Sequence, residues 1–272
     1  MIRALVAGCL VLSIAWTPSA SAENAQAATR VLRVCADPNN LPYSNERGEG
    51  FENRLAQVIA GELKARVEYM WWAQRRGFVR NTLQAGACDL IVGVPAGYEL
   101  ARTTRPYYRS GYVFVTRASL NLHIASLDDP LLRRLKIGIH LIGPEQTPPP
   151  AHALAQRGIV DNVVGYSIFG DYREPNPPLR LIDAVARGDV DVAIAWGPFA
   201  GFGAHQHAGL RIEPVPPTGE LPFQFAIAMG VRKDDAALQT ELNEALAARA
   251  ADVEALLKQY GVPLLPAQEG AD

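Results

Sequence analysis

The residues best suited to hold a polar partner crowd into residues 88–116, where Arg102, Arg105, Tyr107 and Tyr108 follow the apolar run 89–94. A guanidinium forks onto a carboxylate through two parallel charge-assisted hydrogen bonds, and a phenol offers a hydroxyl on an aromatic body, so the chemistry within reach is capture of a ligand. Groups for turnover are missing from the sequence: it has no Gly-x-Ser-x-Gly elbow, no phosphate loop, no Cys-x-x-Cys-His and no carboxylate pair at a telling spacing. His205 and His207 form a His-x-His pair, which without a third ligand is usually a surface loop rather than a metal site. The glycines that a dinucleotide needs after the first strand are absent. No enzyme activity, metal or cofactor is expected.

These residues need a scaffold, and the chain supplies one in repeating units. The run 89–94, left through Pro95-Ala96-Gly97, reads as a strand buried on both faces of a parallel sheet. The carboxyl ends of such strands are where open α/β sheets place ligands. Before it come strands at 31–35 and 67–72, a helix on Phe51, Leu55, Val58, Ile59 and Leu63, and a second helix from Phe78 to a stop at Gly86. The pattern restarts at Lys136 with strands at 137–139, 163–166 and 190–196 and helices at 151–156 and 179–187; two further helices follow an extended run at 222–231. The expected fold class is therefore α/β and bilobed, with two three-layer lobes joined by two crossing segments. The first lobe takes 31–113 and 225–272, and the second 114–224. Hinges of this kind permit closure on a ligand.

At 272 residues with 49% hydrophobic content and a net charge of -2, the chain is an ordinary globular protein without the basic footprint of a nucleic-acid binder. Arg3, the apolar run 4–16 and Ser19-Ala20-Ser21-Ala22 read as a cleavable export signal over residues 1–22. Val6-Ala7-Gly8-Cys9 looks like a lipoprotein box, but cutting there leaves only about five apolar residues, short of the roughly 7 to 15 required. No later run nears the roughly 20 apolar residues of a membrane span. Export leaves Cys35 and Cys88 in an oxidising compartment. Their places, late in one parallel strand and at the start of another, set them beyond the roughly 7 Å that a bridge tolerates; a disulfide and two buried thiols both stay open.

Trp71, Trp72, Phe78, Phe169, Tyr172, Trp196 and Phe199 fall at strand ends or in loops facing the expected cleft. They would line an apolar, aromatic cleft for a hydrophobic ligand or a segment of a partner, or else fill the lobe cores. Asp37, at the end of the first strand, is a cleft candidate, and Tyr43 and Tyr98 join it from the neighbouring loops. Arg75, Arg76 and Arg80 make either a basic patch for an acidic partner or a solvated helix face. Asn39, Asn40, Asn45 and Asn53 suit turns and caps.

The order of four phrases, 32–37, 86–93, 105–108 and 187–193, resembles the type II periplasmic solute-binding proteins, which include the amino-acid receptors of ABC transporters. In those receptors the loop after the third strand offers hydroxyls and an arginine for the ligand's carboxylate. The resemblance puts the hydroxyl positions on Pro95 and Gly97 and the arginine position on Leu100, which cannot bind an anion; Arg102 or Arg105 would have to substitute. Longer blocks at 34–45, 50–53, 71–80, 93–98 and 195–198 resemble the MxaJ/XoxJ-type proteins, solute-binding-like partners of PQQ-dependent methanol dehydrogenases. This resemblance implies a periplasmic accessory that supports or activates the dehydrogenase. The alternative is an ABC-transporter receptor for a small apolar or aromatic solute.

Overall fold

A computed structural model describes residues 30–143, 147–168, 174–217, 219 and 221–266. The export signal, Phe169 and Tyr172 lie outside these described residues.

The chain opens with β1 (Arg30–Ala36), the two-residue hairpin strands β2 (Asn39–Asn40) and β3 (Ser44–Asn45), α1 (Phe51–Glu62) and β4 (Ala65–Trp71). Then come α2 (Phe78–Asn81), β5 (Leu90–Pro95), β6 (Arg102–Thr103) and the long β7 (Tyr108–Arg117). The second α/β unit holds β8 (Ile137–Leu141), α3 (Pro149–Gln156), β9 (Val163–Ser167), α4 (Arg180–Arg187), β10 (Val192–Trp196), α5 (Gly197–Gln206) and β11 (Leu210–Pro214). β12 (Gln224–Val231), α6 (Ala236–Ala248) and α7 (Ala250–Gln259) complete it.

The strands run in the order β4-β1-β5-β12-β7-β10-β8-β9, with β11 on β7 and β6 on β12. β1 lies parallel to β4 and β5, and β8 parallel to β9 and β10. This is the bilobed type II periplasmic-binding-protein fold. β7 joins the halves: 108–111 pair with β12 and 112–116 with β10, both antiparallel.

Side-chain alternation along the strands builds a layer on each face. On β10, Val192 and Ile194 pack with Phe114, Ile137 and Leu154, while Ala193 and Ala195 pack against Leu181, Ile182 and Val185 of α4. On β1, Leu32 and Val34 pack with Phe51, Leu55 and Ile59 of α1, and Cys35 faces Phe78, Val79 and Leu83 on the other side.

One open question is answered, and three features depart from the sequence expectations. Cys35 and Cys88 form a disulfide with Cα atoms 5.5 Å apart. Strand register does not govern this distance, because Cys88 precedes β5, in the segment arriving from α2, and sits in the same buried cluster as Cys35. The second helix ends at Asn81: Thr82 leaves helical geometry (φ -118, ψ -82) while its hydroxyl bonds back to the Phe78 carbonyl at 2.7 Å. α5 goes unread in the sequence because Gly197, Gly201 and Gly203 depress its helix propensity. The glycines serve close approach instead, since a methyl at Gly201 would strike the Gly261 carbonyl and one at Gly203 would press on Ile182. β11 pairs with β7, and its sequence, LRIEP, alternates apolar and charged residues over only four positions before Pro214 ends it, a short run to read as a strand.

Candidate functional site

The middle of the cleft is set by the loop between β1 and α1. Asp37, 2% exposed, accepts from the backbone N–H groups of Asn39 (2.8 Å) and Gln74 (2.6 Å), and its carbonyl accepts from the Ser44 hydroxyl at 2.8 Å. The loop then supplies what the start of α1 lacks, because the first turn of a helix has N–H groups without intrahelical partners. Phe51 N–H donates to the Pro42 carbonyl at 2.8 Å and Glu52 N–H to the Tyr43 carbonyl at 2.9 Å. Asn53 Oδ1 accepts from the N–H groups of Gly50 and Asn45, each at 3.1 Å. A side chain at Gly50 would collide with the Tyr43 backbone. Glycine at 50 therefore lets the loop press onto the helix, which fixes Tyr43 and Glu52.

The second lobe answers with aromatic rings. Phe199, in the first turn of α5, meets Tyr43 edge-on with centroids 5.1 Å apart, and His140 at the end of β8 packs on Phe199 at 5.0 Å. Trp196 meets Tyr112 and Phe225, each at 5.6 Å, and lies near the Tyr43 hydroxyl. Across the cleft mouth, Asn39 Nδ2 donates to the Glu174 carbonyl at 2.8 Å and Asn176 N–H donates to Asn39 Oδ1 at 3.0 Å. At the back, α5 lies against the tail that follows α7. Ser110 Oγ donates to the Pro263 carbonyl at 2.6 Å, and Phe202 stacks on Tyr260 at 6.0 Å. The lobes thus meet through the protein's own side chains. Two hollows, of about 500 and 420 Å³, lie away from this seam, one beside Arg117 and His207 and the other beside Arg109 and Phe223.

Beneath the rings sits an acid. The Glu52 side chain keeps some exposed surface as a residue, but its carboxyl end is enclosed, lying directly over Gly93 of β5, where a methyl would strike Oε1. Desolvation, reinforced by the nearby charge of Asp37, pushes this carboxyl up to about 8. Tyr43, Tyr107 and Tyr108 surround it, their phenols held well above the ordinary range first by burial and then by the neighbouring acid and each other. Tyr107 donates to the Val92 carbonyl at 3.1 Å. Burial also drives His140 down to about 4, its ring nitrogen 2.8 Å from the Pro178 carbonyl.

The residues singled out in the sequence divide accordingly. Tyr43, Trp196 and Phe199 come together between the lobes, with Asp37 holding the loop that carries Tyr43. Trp71 stacks on Tyr69 at 4.5 Å against the first core, so it packs rather than lining a cavity. Trp72 is 40% exposed. Phe78 is a core residue beside the disulfide, because α2 turns it onto Cys35 and Leu83, and Tyr98 leans on the same cluster. Arg102 donates to the Lys233 carbonyl at 2.8 Å, and the Arg105 N–H to Asn243 Oδ1 at 2.7 Å. Both main chains run on the β12–α6 side, and the Arg102 guanidinium is held there. Arg75 is exposed. Sequence reasoning missed Glu52 and His140; a glutamate in the first turn of a helix looks like a dipole partner, and only the fold shows what covers it. Among the described residues no group of three His, Cys, Asp or Glu could hold a metal ion, and no helix is long and apolar enough to cross a membrane.

Two lobes meeting on an aromatic seam are the architecture shared by solute-binding proteins. Residues 32–263 match the model of the bacterial extracellular solute-binding proteins, family 3, and the chain belongs to that family, within which it is of the MxaJ/XoxJ type. It is 36% identical over 263 residues to protein MoxJ of Methylorubrum extorquens, covering 91% of this chain and 86% of that one. MoxJ of Paracoccus denitrificans is 33% identical over 264 residues, covering 91% and 94%. Among solved structures, the periplasmic binding protein XoxJ from Methylobacterium extorquens AM1 superposes with a TM-score of 0.72 at 38% identity, covering 87% of this chain and all of that one. MxaJ from Methylophaga aminisulfidivorans gives 0.76 at 29%, covering 86% and 100%. An ancestral cationic amino-acid solute-binding protein, 20% identical with a TM-score of 0.66 and covering 85% and 95%, shares the fold.

Proposed function

We propose that this protein is a periplasmic accessory of a methanol-oxidising system, which works by binding a PQQ-dependent methanol dehydrogenase and not by delivering a solute. The observation that carries this reading is the cleft centre. Where a nutrient receptor would need a cation among hydroxyls, this chain has the enclosed Glu52 carboxyl under Tyr43, and the space between the lobes is taken by Tyr43, Phe199 and Trp196. A ligand carboxylate there would lose its water without gaining a cation to pair with, which is unfavourable in so enclosed a site. Similarity to the MoxJ, MxaJ and XoxJ proteins supports the assignment to methanol oxidation.

The test is co-elution of the mature chain with the purified dehydrogenase on a sizing column, run beside a thermal-shift screen of apolar and aromatic solutes. A stable complex with no stabilising solute is expected. A solute that strongly raises the melting temperature, with no dehydrogenase retained, makes the protein a transport receptor instead.

A further inference from the structure

The segment between β4 and β5 has an unbalanced charge. Residues 69–88 contain Arg75, Arg76 and Arg80 and no aspartate or glutamate, and all three arginines are exposed. Elsewhere arginines are commonly neutralised, Arg33 and Arg232 by Asp89, Arg157 by Asp128 and Arg249 by Asp252. Among the described residues the guanidinium groups of Arg75 and Arg80 take no hydrogen bond or ion pair. Just before them Trp72 leaves an indole 40% exposed. The segment is nevertheless anchored: Trp72 N–H donates to the Ala36 carbonyl at 2.9 Å and Gln74 N–H to Asp37 Oδ2 at 2.6 Å, so the patch begins where the edge strand β4 reaches the cleft mouth.

An accessible indole beside the uncompensated guanidiniums of Arg75 and Arg80 has the composition of an interface anchor, since tryptophan and arginine dominate binding hot spots. Each guanidinium also presents a planar fork that matches a carboxylate. We propose that Trp72, Arg75 and Arg80 dock an acidic protein surface, and that this surface belongs to the dehydrogenase; the inference rests on the proposed function and names the face that function uses. Three arginines fall short of the roughly 4 to 8 basic residues that mark a lipid-binding patch, and the chain's net charge of -2 opposes general attraction to anions.

The test compares dehydrogenase binding to the mature chain, to Arg75→Glu/Arg80→Glu, to Trp72→Ala and to Arg134→Glu, an exposed arginine in the second unit with no side-chain partner among the described residues, at low and high salt. Phosphatidylglycerol vesicles serve as a parallel probe. The double reversal is expected to slow association roughly tenfold or more and to flatten its salt dependence, Trp72→Ala to hasten dissociation, and Arg134→Glu to change neither, with unaltered thermal midpoints for all. Binding that survives the double reversal, or that Arg134→Glu weakens equally, overturns the inference and leaves the proposed function standing. Vesicle capture lost in the double reversal, with dehydrogenase binding intact, also overturns it. Failure of the unmodified chain to bind the dehydrogenase removes the proposed function and this inference together.

Discussion

Glu52 offers the sharpest physical test of the cleft. Its carboxyl is raised from 4.5 to about 8 because the groups enclosing it are Tyr43, Tyr69, Tyr107 and Tyr108, with Asp37 as the nearest charge and no cation among them. Between these two values the folded protein keeps a proton that the unfolded chain has released. Stability from this group is thus fully present below pH 4.5 and is lost as pH rises through 8. At about 1.4 kcal/mol per unit, the loss between pH 5 and pH 9 reaches about 4 kcal/mol, and the side chain's residual exposure trims this to roughly 2–4 kcal/mol. For a chain of this size each kcal/mol moves the melting temperature by about 2–4 °C.

Glu52→Gln keeps the shape and cannot ionise. The variant and the unmodified protein should melt at similar temperatures at pH 5, and by pH 9 the variant should melt roughly 5–15 °C higher. Scanning calorimetry in matched buffers measures the gap. Two melting curves that stay parallel across this range would show that Glu52 is solvated and would refute the desolvated floor on which the cleft chemistry rests.

His140 acts on the opposite limb. Lowered from 6.5 to about 4 by burial, it contributes stability present above pH 6.5 that is lost as pH falls through 4, about 3 kcal/mol in all, and His140→Gln should remove this acid limb in the same calorimetry. Gly201→Ala would push a methyl into the Gly261 carbonyl; it should cost about 1–3 kcal/mol and widen the interlobe distance measured by X-ray scattering, whereas a scattering curve identical to the parent's would refute a tight seam. Replacing both Cys35 and Cys88 with serine frees a loop spanning 53 residues and should lower stability by about 4 kcal/mol in urea titration.

Much of the fold was legible because its signals are local. The apolar strands at 89–94 and 190–196 and the amphipathic helix at 51–63 declare themselves by period, and the two crossings follow from the interruption of the first unit by the second. What stayed hidden depends on contacts between distant segments. α5 reads as a glycine-rich loop until Gly261 and Ile182 are seen to need the room. The Cys35–Cys88 bond looked too long because the strand ladder was extended to a residue that had already left it. The aromatic site was half legible: Trp196 and Phe199 stand at a strand end and in a helix's first turn, as a cleft requires, but Phe78 could be placed in the core only once α2 was known to roll it onto the disulfide.

Leu100 is the hinge of the functional argument. Its side chain, 46% exposed, stands where the family resemblance would put the carboxylate-binding arginine, and the nearby Arg102 is drawn off to the Lys233 carbonyl. Restoring a cation at position 100 alone would not restore a receptor, because Glu52 and the Tyr43–Phe199 contact still hold the cleft centre. Opening the lobes would also break the Asn39 bridge to Glu174 and Asn176 and part Phe202 of α5 from Tyr260. Each of these ties is worth about 1 kcal/mol on its own, and a solute entering the cleft would have to offset them. Recognition is therefore expected on the outside of the closed molecule, where a large partner can be met without parting the lobes.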